Sequence, residues 1–156
     1  MKRISFIILL FSLTVLPGCS YMTQFVVVNS AANTVELTCF FRAAEYKQLK
    51  AKQIHLGFAK PRSFMAKYKF QSVSHADIIF DDQQRSARVK LPGKSALRAF
   101  TILNYTGHDS FKAREFGLEQ LHWSGATTGE VKGRMNVLRK FEQKATARYE
   151  FVLPEK

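Results

Sequence analysis

The chain has 156 residues, 46% hydrophobic and 13% aromatic, with 24 Lys+Arg against 12 Asp+Glu for a formal net charge of +12. That length fits one domain, and the apolar content excludes a disordered tail. Eight Gly and four Pro exclude collagen-like and low-complexity chains, and two Cys cannot build a disulfide scaffold.

The first element in chain order is a targeting segment. Lys2 and Arg3 form a short basic end, and Ile4 to Leu16 run apolar except for Ser5, Ser12 and Thr14. The run is too short for a mature transmembrane helix, which needs about 20 residues, and matches the apolar region of an export signal. Pro17 and Gly18 then break the helix and leave an extended peptide that a protease can hold. Leu16-Pro17-Gly18-Cys19 resembles the lipobox of bacterial lipoproteins, with Pro17 departing from the usual small or β-branched residue. The resemblance covers residues 1–19 and implies that the Cys19 thiol is alkylated with diacylglycerol. It further implies that residues 1–18 are removed and that the new amino end is acylated. Several acyl chains on one residue give stable anchoring, where one chain alone is marginal. Ser20, in place of an Asp, implies by the same resemblance the outer membrane over the inner one. An ordinary signal peptide with an incidental Cys, or an uncleaved anchor, are the alternatives.

Residues 19–24 are expected to be a lipidated tether and residues 25–156 the folded body. From Phe25 onward the dominant period is two. Phe25–Val28 and Thr34–Phe41, around the turn-forming Asn29–Asn33, read as a hairpin. Arg42–Gln53 carries Ala43, Ala44, Tyr46 and Leu49 among good helix formers, and reads as a connecting helix. Phe64–Gln71 alternates as a strand with one wet face. Ile78–Phe80 and Arg85–Leu91 make a second hairpin, with Ala87, Val89 and Leu91 facing one way and Arg88 and Lys90 the other. Pro92-Gly93 reads as a hairpin turn before an apolar strand over Ala96–Leu103. Arg114–Gln120 suggests a short helical turn. Leu121–Trp123 and Val131–Val137 flank a Gly125–Gly129 loop, and Ala145–Leu153 alternates as the last strand. These elements predict a mainly β chain: a single antiparallel sandwich or barrel-like domain with one or two short helices.

The positive excess is uneven. Arg42, Lys47, Lys50, Lys52, Lys60, Arg62, Lys67 and Lys69 stand against Glu45 alone in residues 42–70. They are candidates for contact with anionic lipid, lipopolysaccharide phosphates or an acidic envelope protein, the bland alternative being a solvated face. Nucleic acid is a poor partner for an exported chain. Cys39 lies in an apolar strand-like run and, with Cys19 lipidated, has no partner in the chain. It reads as a buried inert thiol, with a reactive thiol or an intermolecular disulfide as alternatives.

Signals for catalysis, metals and cofactors are weak. Pro92-Gly93-Lys94-Ser95 lacks the glycine a phosphate loop needs, Arg88 standing in its place. No histidine pair has helical zinc spacing. His75-Ala76-Asp77 with Asp81 and Asp82 would scatter over two faces of a strand. His108-Asp109-Ser110 are adjacent, whereas a triad is assembled from distant segments. Trp123, beside His122 and the glycine loop, reads as core or rim, with a partner surface as the alternative. The expectation is a periplasm-facing, membrane-anchored binding or assembly component without a cofactor, a secretion-system accessory being one form of it. The alternatives are a carrier whose apolar cavity is lined by Phe and Tyr, and an envelope hydrolase centred on His108 or His122.

Overall fold

The computed structural model describes residues 20–59, 69–108, 110–125 and 127–154. In chain order the described elements are β1 (Met22–Asn29), β2 (Val35–Phe41), α1 (Ala43–Lys50), β3 (Gly57–Ala59) and β4 (Gln71–Ser72). Then come β5 (Ile79–Asp81), β6 (Ser86–Leu91), β7 (Ser95–Leu103), β8 (Leu118–Ser124), β9 (Gly129–Lys132), α2 (Arg134–Arg139), β10 (Glu142–Ala145) and β11 (Arg148–Val152). Short 3-10 turns occupy His75–Asp77 and Phe111–Glu115.

Two sheets form a sandwich. One has the order β10-β11-β1-β7-β3-β4 and the other β5-β6-β2-β8-β9. Neighbours are antiparallel except β1 and β11, which run parallel, so the expected all-antiparallel pattern fails at the pairing of the first and last strands. The β5–β6 hairpin forms as expected, with Ala87, Val89 and Leu91 buried and Arg88 and Lys90 exposed.

The first expected hairpin does not form. β1 and β2 lie in opposite sheets, and Asn29–Asn33 carries the chain across as an arch. Pro92-Gly93 likewise joins β6 of one sheet to β7 of the other, so it is a second arch and not a hairpin turn. The physical reason is that the two arches stack. The Asn29 side chain, 1% exposed, donates to the carbonyl oxygens of Asn33 at 2.8 Å, Leu91 at 3.1 Å and Pro92 at 3.1 Å. Lys94 N–H donates to Ala31 O at 2.9 Å. A Cβ on Gly93 would stand 1.8 Å from Ala32 O, so only glycine admits this approach. Polar turn residues serve an arch as well as a hairpin. The distinguishing signal is the Val26-Val27-Val28 run, buried on both faces of β1 instead of alternating.

Other boundaries also moved. β1 starts at Met22, inside the expected tether, and Thr23 is fully buried. Of Phe64–Gln71, residues 64–68 lie outside the described ones, and only Gln71 joins the short β4. The expected helix forms over Ala43–Lys50. The expected helical turn over Arg114–Gln120 is displaced to Phe111–Glu115, because Leu118 already enters β8. Val131–Val137 splits at Gly133 (φ +88°), after which α2 buries Val137 and Leu138. The last strand divides into β10 and β11. Tyr149, Phe151 and Leu153 are buried, but Ala145 is exposed.

The core lies between the sheets. Phe25 is central, its ring 5.1 Å from Tyr105, 5.0 Å from Phe116, 5.5 Å from Phe141 and 5.5 Å from Tyr149. Trp123 of β8 meets Phe151 of β11 edge-on at 5.6 Å, joining the sheets. Each such ring pair adds about 0.5–1.5 kcal/mol beyond burial. Phe25→Ala is expected to lower unfolding free energy by about 3–5 kcal/mol in urea titration. Asn29→Ala, which strands three carbonyl contacts, is expected to cost about 1–3 kcal/mol. A change of Phe25→Ala below about 1 kcal/mol would show that the ring cluster does not hold the sandwich.

Candidate functional site

The amino-terminal end of the sandwich is held firmly. Tyr21 N–H donates to Asn104 Oδ1 at 3.0 Å and Asn104 N–H donates to Tyr21 O at 2.8 Å. Asn104 takes φ +53°, a left-handed conformation that Asn tolerates better than most residues. The Tyr21 hydroxyl donates to Tyr105 O at 2.8 Å. Cys19 itself lies outside the described residues. No helix among the described residues is long and apolar enough to cross a membrane.

Helix α1 separates the expected cations by direction. Successive residues turn by about 100°. Tyr46 and Leu49 face the core, Lys47 and Lys50 lie along one flank, and Glu45 and Gln48 along the other. Lys50 Nζ bonds Asp82 Oδ1 at 2.7 Å, and the Tyr46 hydroxyl donates to the same oxygen at 2.7 Å. The Lys50 ammonium and the Tyr46 hydroxyl hold the Asp82 carboxyl below its ordinary range. Arg42 pairs with Glu45 and donates to Arg114 O at 3.2 Å. Lys47, Lys52 and Lys69 are exposed. Lys60, Arg62 and Lys67 lie outside the described residues. Among the described members of the basic run, Arg42 is tied to the helix start and Lys50 to the β5–β6 turn.

The other flank of α1 borders a cleft of about 350 Å³ against β7. Met22, Leu49, Ile54 and Phe100 give it apolar walls, and Gln48, Gln53, His55 and Arg98 add polar ones. The sequence pattern missed this site. Arg98 falls within the apolar strand expected over Ala96–Leu103, which gave it no role of its own, and the pairing of β7 between β1 and β3 places it beside α1.

The histidines separate in the same way. His108 Nε2 lies 3.0 Å from Phe141 O, which can only accept, so Nε2 carries the proton. Nδ1 pairs with the Tyr105 hydroxyl at 2.6 Å. Both ring nitrogens are thus engaged in tying β7's exit to the segment before β10. His122 stands in register between Thr38 and Glu130 on the outer face of its sheet. Glu130 is engaged by Lys132 at 2.9 Å and Gln120 at 3.2 Å. The His75 ring packs against Phe80 at 5.3 Å. No group of three metal-ligating side chains occurs among the described residues. The rings of Tyr105, Phe116 and Phe141 pack around Phe25.

Trp123 is buried, and a Cβ on Gly129 would meet its ring at 2.3 Å, so the glycine loop closes over the indole as core. Cys39 is fully buried, and burial pushes its thiol up to about 12. Thiolate formation at pH 8 is thereby suppressed. Cys39 is expected to resist a thiol reagent in the native protein and to react within seconds once guanidinium unfolds it. Rapid labelling of native Cys39 would contradict its burial. No family model, curated protein or solved structure matches this chain.

Proposed function

We propose that the chain is a bacterial lipoprotein, cut before Cys19 and acylated there, whose sandwich faces the periplasm as a binding or assembly component of the cell envelope. One observation carries the reading: a basic end, a short apolar run and Leu16-Pro17-Gly18-Cys19 occur together in the required order. The short link from Cys19 to the hydrogen-bonded Tyr21–Asn104 pair supports it, because a tethered body needs a firm first attachment and little slack. Ser20 supports delivery to the outer membrane.

A role in binding rather than catalysis is supported by how the histidines are used. His108 holds two segments together, and Glu130 beside His122 is occupied by Lys132 and Gln120. The exposed cations after α1 favour an anionic partner, either the lipid surface or an acidic envelope protein. Among the described residues the strands at the sheet edges are short: β4 has two residues, β5 three, and β9 and β10 four each. Strand addition by a partner is therefore disfavoured, and side-chain surfaces are the proposed means of contact.

Cys19→Ser is expected to abolish fatty-acid labelling and to leave the precursor uncut. Normal processing and labelling of that variant would overturn the anchor. Crosslinking in whole cells, followed by mass spectrometry, is expected to capture an envelope component with the wild type and to lose it with Cys19→Ser.

A further inference from the structure

Arg98 stands on the outer face of β7, between Val26 of β1 and Gly57 of β3. Its guanidinium carbon lies 5.3 Å over the Phe70 ring, and a Cβ on Gly57 would stand 3.2 Å from Nη2. The absent side chain at residue 57 is thus the space Arg98 occupies. Its Nε is shut off from water with no acceptor among the described residues, and no described carboxylate forms an ion pair with it. Residues 60–68, which precede the ring over it, contain no acid in their sequence. Burial lowers the affinity of this guanidinium for its proton. A charged donor left without a partner is among the costlier arrangements in a folded chain.

Arg98 also forms a wall of the cleft beside α1, and Met22 lines the same cleft. Met22 is 55% exposed and stands opposite Leu103, 45% exposed, in the β1–β7 register. This exposed apolar pair sits at the end of the sheet where the chain leaves toward Cys19. Glu45, the acid facing the cleft, is neutralised by Arg42. Gln48 and Gln53 supply further donors without charge.

We propose that this cleft seats the phosphate of an anionic lipid headgroup from the membrane that holds the chain, with Arg98 as the phosphate contact and Met22 and Leu103 at the acyl boundary. The inference rests on the lipid-anchor reading. Tethering through Cys19 raises the local concentration of such lipids at this end far above that of any free ligand. A guanidinium fork matches phosphate oxygens in pairs. The Lys47 and Lys50 flank points toward Asp82, so the seat depends on Arg98 and not on the helix cations the sequence put forward.

The test uses the full acylated protein on vesicles of phosphatidylcholine alone or of equal parts phosphatidylcholine and phosphatidylglycerol. Amide hydrogen exchange is followed over residues 43–56 and 95–103. Exchange is expected to slow about tenfold on the mixed vesicles, which a charge-assisted contact readily supplies. Arg98→Gln is expected to remove the slowing, Arg98→Lys to keep only part of it, and Lys47→Gln with Lys50→Gln to keep it whole. Equal exchange on both vesicles, full slowing in Arg98→Lys, or loss of slowing in the double lysine variant would overturn the seat. Should Arg98→Gln not fold, the Arg98→Lys arm decides. Slowing by inorganic phosphate on phosphatidylcholine vesicles would mark a free-phosphate site and overturn the lipid. Failure of the wild type to float with phosphatidylcholine vesicles sinks the anchor itself, whereas flotation without a phosphatidylglycerol effect sinks only the seat.

Discussion

The sandwich depends on two chain crossings made at the same end and tied by one amide. Asn29 closes β1, and its side chain reaches the carbonyls of Asn33 in its own arch and of Leu91 and Pro92 in the other. β1 pairs with β7 in one sheet while β2 pairs with β6 in the other, so the arches run side by side and link equivalent strand pairs. One buried amide thus satisfies carbonyls of both arches at once, and removing it would leave the buried Leu91 contact unmade. Gly93 permits the contact because nothing larger fits against Ala32. With the arches locked, β1 stands between β7 and β11, and its valines are buried on both faces.

The aromatic core extends that constraint to the far end. Phe25 gathers rings from β11, from the segments after β7 and before β8, and from the residue before β10. Tyr105, within that group, also receives the Tyr21 hydroxyl at its carbonyl and pairs its own hydroxyl with His108. Core packing and the exit of the chain toward Cys19 are therefore the same set of contacts.

Electrostatics plays a smaller part in stability than the charge count suggests. The described ion pairs are largely exposed, as with Lys50–Asp82 and Lys144–Glu142, and pairs of that kind contribute between nothing and about 1 kcal/mol. The excess of cations acts outward. It is unevenly aimed, because α1 turns Lys47 and Lys50 one way and borders a cleft on the other. Arg98, which stands alone in an apolar strand of the sequence, becomes the desolvated cation of that cleft.

The amino-acid sequence by itself determined the β character, the β5–β6 hairpin, helix α1, the burial of Cys39, and the alternation of Tyr149, Phe151 and Leu153. Each of these follows from local periodicity or from apolar content within a few residues. The expectation for Cys19 comes from the same kind of reading and concerns residues beyond those the structure describes. Tertiary structure alone decided that Asn29–Asn33 and Pro92-Gly93 are arches, that β1 and β11 run parallel, and that Val137 and Leu138 belong to a helix. It also decided that Arg98 lines the cleft beside α1. The reason is physical: a turn residue specifies a reversal of the chain, but which sheet receives the next strand depends on contacts between residues some sixty positions apart, such as Asn29 with Leu91.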